Sequence, residues 1–121
     1  MFHTRRMFGA GLPGAWPFAA PALHYLPGFT DRFRGAVEVS EIFMERIEAH
    51  EAFTVERVPR GTNLFRLRVH AADVARFRRR LEERELLLGA PRPDGRILVG
   101  VHEPWNRQSA TDLVDAFIAA L

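Results

Sequence analysis

The sequence predicts an α+β domain: a small sheet of about four strands covered by helices and preceded by a long amphipathic helix. Three observations carry that expectation. An apolar stripe at helical spacing runs over 31–50, a short run rich in β-formers and a run of period-2 alternation follow it, and further helical and strand-like runs then alternate to the end. The expected order is α-α-β-β-α-β-β-α. At 121 residues, 47% apolar and 26% charged, the chain has the composition of one folded domain rather than of a disordered segment.

Each element has a local reason. Residues 1–29 read as a glycine-rich loop, with Gly9, Gly11 and Gly14, and an apolar linking segment that Pro17 and Pro21 restrict to a short or late-starting helix. The small α+β domain is expected over 30–121. Thr30 or Asp31 can cap the long helix. Its inner stripe is Phe33, Ala36, Val37, Ser40, Phe43, Met44 and Ile47, with Arg34, Glu38, Glu41, Glu45 and Glu48 opposite. Residues 53–58 and 64–69 predict an antiparallel pair about a turn at Pro59-Arg60-Gly61, with Phe65, Leu67 and Val69 on one face and Arg66 and Arg68 on the other. A helix over 72–84 would face Val74, Phe77 and Leu81 inward. Leu86, Leu87 and Leu88 read as a short buried run, and the Pro91-Arg92-Pro93-Asp94-Gly95 turn leads into a strand over 97–101. Ser109 and Asp112 have the spacing of a capping box for the last helix.

Composition excludes several chemistries. The chain has no cysteine, so it holds no disulfide, thiol nucleophile or thiolate metal site. All seventeen basic residues are arginine, and a guanidinium does not serve as an amine nucleophile. The net charge of +2 does not describe a strongly cationic surface. Arg76, Arg78, Arg79 and Arg80 are followed by Glu82, Glu83 and Glu85, which predicts a solvated helix face with Arg78–Glu82 and Arg79–Glu83 ion pairs; no nucleic-acid partner is expected. No membrane partner is expected either, since no apolar run is long enough to span a bilayer. Thr4-Arg5-Arg6-Met7-Phe8 has the look of a twin-arginine export signal, but prolines interrupt the stretch after it, so a cytoplasmic location is the expectation. The five histidines lack metal-ligand spacing, and His102 is singled out because it ends a strand, where loops carry sites.

At Arg5-Arg6-Met7-Phe8-Gly9-Ala10-Gly11-Leu12 the chain resembles the threonine aldolase and β-eliminating lyase family. These are pyridoxal-phosphate enzymes of the aspartate-aminotransferase fold. Thr62-Asn63-Leu64-Phe65, the strand ending in His102 and the capped helix from Ser109 are similar too. The resemblance covers essentially the whole chain but only the C-terminal third of a family member. It implies a lyase of amino-acid metabolism, with pyridoxal 5'-phosphate as cofactor and an amino acid as substrate. It places Arg6, Gly9 and Gly11 at the cofactor, Arg6 against the phosphate of a neighbouring subunit, and Arg96 and His102 at the substrate. Pro13 and Gly14 stand where the family has arginine and glutamine, and Leu98 where its carboxylate-gripping arginine stands; Arg96 could share Leu98's side of the strand. No catalytic residue and no metal ligand is implied here, because the lysine that binds the cofactor belongs to the missing part. The implied partner is a lysine-bearing cofactor domain or a homo-oligomer. The other reading is a non-catalytic interaction or dimerisation module, pairing through Trp16, Phe18 and Tyr25.

Overall fold

Alternation along three strands builds the centre of the domain. In a computed structural model describing residues 16–59 and 63–121, β1 (Phe53–Arg57), β2 (Leu64–Val69) and β3 (Arg96–Gly100) form an antiparallel sheet of order β1-β2-β3. The register aligns Val55, Leu67 and Ile97 across all three strands on the core face. Arg66, Arg68 and Arg96 fall on the opposite face, where Glu56 takes both Arg66 (2.9 Å) and Arg96 (3.0 Å). The described residues include four α-helices: α1 (Trp16–Tyr25), α2 (Phe29–Glu48), α3 (Val74–Glu82) and α4 (Ala110–Ala120). A 3-10 turn, Glu103–Arg107, links β3 to α4. The chain divides into two units, Met1–Thr30 and Asp31–Leu121.

In the first unit α1 is ten residues long and contains Pro21, whose ring nitrogen cannot donate within the helix. Phe18, Leu23, Tyr25 and Leu26 are all exposed.

The second unit holds the core. α2 buries Ala36, Ser40, Phe43, Met44 and Ile47, all on the predicted stripe. Phe65, Leu67, Phe77, Leu81, Ile97 and Phe117 join them in one cluster. Ser40 is accommodated because its hydroxyl donates to the Val37 carbonyl at 2.8 Å. Asp73 caps α3 by accepting the Arg76 N–H at 2.9 Å. Ser109 caps α4 as its spacing predicts: its hydroxyl accepts the Asp112 N–H and donates to the Asp112 carboxylate.

Two expectations need correction. The sheet has three strands, not about four: Leu86–Leu88 pairs with nothing as a strand, and Leu87 is 85% exposed. The cause lies at the end of α3. The Glu85 N–H reaches the Glu82 carbonyl and the Leu86 N–H reaches the Leu81 carbonyl, a Schellman closure that turns the chain sharply. Nor do the Arg78–Glu82 and Arg79–Glu83 pairs form among the described residues. Arg78 donates instead to the Leu88 carbonyl (3.0 Å) and Arg80 to the Ala120 carbonyl, because these oxygens lie within reach of guanidinia at the helix end.

Glu85 carries that closure in the left-handed region, at φ 62°, where glycine is the usual occupant. Glu85→Gly should therefore stabilise the domain by about 1 kcal/mol, with relieved backbone strain exceeding the entropy glycine adds to the unfolded chain. A rise in the urea midpoint at unchanged slope is the expected measurement.

Candidate functional site

β3 is an edge strand, and its outer edge borders an apolar hollow. A groove of about 460 Å³ opens between β3 and the Leu86–Gly89 segment. Its floor is the core itself: Phe43, Phe65, Leu81 and Phe117 reach its surface. Its rim is polar, with His102, Arg107, Gln108 and Glu85. An apolar cleft of this size with a few polar groups at its mouth is the usual form of a ligand site.

The wall beyond β3 is built by the 3-10 turn. Trp105 donates its indole N–H to the Gly100 carbonyl at 3.0 Å and meets Phe43 edge-to-face at 5.4 Å. Asn106 donates to the Arg32 carbonyl at 2.7 Å, and Glu103 pairs with Arg32 at 2.9 Å, so the turn is tied to α2. Gly35 permits that approach: a Cβ there would lie 3.0 Å from the Asn106 side-chain oxygen. Trp105, Asn106 and Arg107 were not among the residues the sequence singled out. A tryptophan and an asparagine three and four residues after His102 were the available signal.

His102 lies on the groove rim, exposed, as the residue preceding the 3-10 turn, and its side chain makes no capping bond. Arg96 lies at the other end of β3, on the same face as Leu98 and opposite to buried Ile97. Six residues of extended chain separate the two, about 20 Å, so the fold does not bring Arg96 and His102 together. Arg96 is also committed, to Glu56 at 3.0 Å and Asp94 at 3.4 Å. Leu98 lines the groove. Arg6, Gly9 and Gly11 lie outside the described residues.

Asp94 is the titrating group that this cluster perturbs. The Arg96 backbone N–H, donated to its carboxylate at 3.0 Å, and the Arg96 charge hold its pKa below the ordinary 3.8, against a smaller opposing effect of desolvation. A lowered pKa in the folded state contributes stability above pH 3.8 that is lost as pH falls through the lower folded value. Asp94→Asn should therefore lower stability slightly at neutral pH, match the wild type near pH 2, and so flatten the acid limb of the stability–pH curve. Urea midpoints between pH 2 and pH 7 check this.

Among the described residues, no helix is long and apolar enough to cross a membrane. Fold and site together define a small α+β domain with an apolar groove at an open sheet edge and a charged outer sheet face. No family model matches the chain, and no curated protein or solved structure is significantly similar to it.

Proposed function

We propose that this chain is the small C-terminal domain of a pyridoxal-phosphate lyase of amino-acid metabolism, threonine aldolase-like, which acts only beside a lysine-bearing cofactor domain. One observation supports the reading: a long helix, a strand pair, a helix and a strand that stops two residues before His102, beside a groove, follow the order the resemblance implies. The described residues do not fit the cofactor by themselves. The chain holds no lysine amine, and Arg96 is ion-paired within its own sheet. No catalytic step is therefore assigned to this chain alone. Its contribution would be Arg6 toward the cofactor phosphate and the β3–His102 side of the substrate site.

The test is reconstitution. The 121-residue chain alone should retain no cofactor after desalting. Mixed with the lysine-bearing domain of a threonine aldolase, cut where the resemblance begins, it should restore cofactor retention and cleavage of a β-hydroxy amino acid. A mixture no more active than the lysine-bearing domain alone would end the proposal.

A second reading, a non-catalytic pairing module, is favoured by α1, where Phe18 and Leu23 are each 69% exposed in a helix without Asp, Glu or Arg. A Leu23→Glu/Leu26→Glu variant should then lose a dimer that light scattering detects in the wild type. A monomeric wild type would dismiss that reading.

A further inference from the structure

Three hydrogen bonds show which way β3 presents its backbone. Val101 donates inward to the Asn63 carbonyl at 2.7 Å, so by alternation Gly100, Leu98 and Arg96 point their N–H and C=O groups away from β2. The Gly100 carbonyl accordingly takes the Trp105 indole, and the Arg96 carbonyl takes the Arg92 N–H at 2.8 Å. That last bond is the first rung of a hairpin. Its three-residue loop, Pro93-Asp94-Gly95, is closed by the Gly95 N–H on the Arg92 carbonyl, with Gly95 at φ 76° and Asp94 bonded to the Arg96 N–H.

Continuing this register backwards sets Ala90 opposite Leu98 and Leu88 opposite Gly100, where the Leu98 N–H and C=O and the Gly100 N–H face away from β2 and the Gly100 carbonyl, already taking the Trp105 indole, keeps a second lone pair. Pro91 then falls opposite Ile97, a position whose N–H would face solvent, where proline is tolerated. Leu87 falls opposite Val101, which is buried, and so turns toward the core face. We propose that residues 86–91 form a strap that closes on the β3 edge and plugs the groove with Leu87, the residue now 85% exposed. The inference stands apart from the cofactor reading, since it uses only this domain's own backbone.

A run of three leucines accepts either parity: Leu86 and Leu88 are half-buried in the open arrangement, and Leu87 replaces them in the closed one. Arg78 is the latch, because its hold on the Leu88 carbonyl keeps that oxygen from Gly100. The strap also outcompetes an outside strand for this edge, since its turn is already formed and its ends are tethered. Groove and closed strap exclude each other, so any ligand of the groove must bind the open arrangement and would shift the chain toward it.

Amide exchange on the whole chain tests this. In the wild type the Leu98 and Gly100 amides should be protected at least tenfold over their intrinsic rates, independent of protein concentration. Leu87→Asp should abolish that protection while Leu67 and Ile97, in the β2–β3 ladder, keep theirs. Arg78→Met, which frees the Leu88 carbonyl, should raise it several-fold. Exchange of Leu98 and Gly100 at the intrinsic rate in all the proteins would overturn the proposal. So would protection that ignores Leu87→Asp or grows with concentration, which would assign the edge to another cover or to a second copy.

Discussion

Phe43→Ala should cost about 3–5 kcal/mol of stability, the largest loss expected from any single truncation in this chain. Phe43 is 1% exposed on the inner stripe of α2. It meets Phe117 of α4 at 5.0 Å, Trp105 of the 3-10 turn at 5.4 Å and Phe65 of β2 at 6.5 Å. Truncation removes an aromatic ring from between elements that are themselves anchored, so the site cannot collapse to fill the void. The same ring floors the groove, and its loss should widen that hollow. Small domains are stable by only 5–15 kcal/mol, roughly, so the variant should be close to unfolding. Urea unfolding followed by tryptophan fluorescence measures this. A loss under about 1.5 kcal/mol would place Phe43 outside the cooperative core.

Trp105→Ala is the second large effect, about 2–3 kcal/mol for a half-buried indole that both packs and donates a hydrogen bond. Trp105→Phe separates the contributions. It keeps a ring against Phe43 but removes the bond to the Gly100 carbonyl, and should cost only about 1 kcal/mol. If both variants cost the same, the hydrogen bond rather than the packing holds the turn. A double-mutant cycle with Phe43 should show coupling of about 0.5–1.5 kcal/mol, as edge-to-face ring pairs do. Trp105→Ala should also loosen Asn106 and Glu103, whose bonds to Arg32 depend on where the turn sits.

Much of the fold was legible because its signals are local. The stripe on α2, the alternation of Phe65, Leu67 and Val69, and the Ser109–Asp112 spacing each involve residues within a turn or a strand of one another. The triple-leucine run reads as buried throughout for the same reason, although only Leu86 and Leu88 pack against the core and Leu87 is exposed. A run without polar positions has no period, and nothing in it records that α3 closes over Glu85 or that Arg78 takes the Leu88 carbonyl. The candidate site was less legible. His102 was singled out from its place at a strand end, but Trp105, Asn106 and Arg107 beside it were not. Arg96 sits on Leu98's side as alternation allows, yet far from His102 and held by Glu56, a partner forty residues earlier in the chain.

By itself the sequence determined the α+β class, most element positions and the lack of any lysine amine or thiol, since these follow from residue identity and short-range periodicity. Only the tertiary structure decided the number of strands, the open edge of β3, the groove beside it and which carbonyls the arginines reach. Those depend on contacts such as Asn106 with Arg32, 74 residues apart, whose geometry is settled only when α2 and the 3-10 turn meet over a common core.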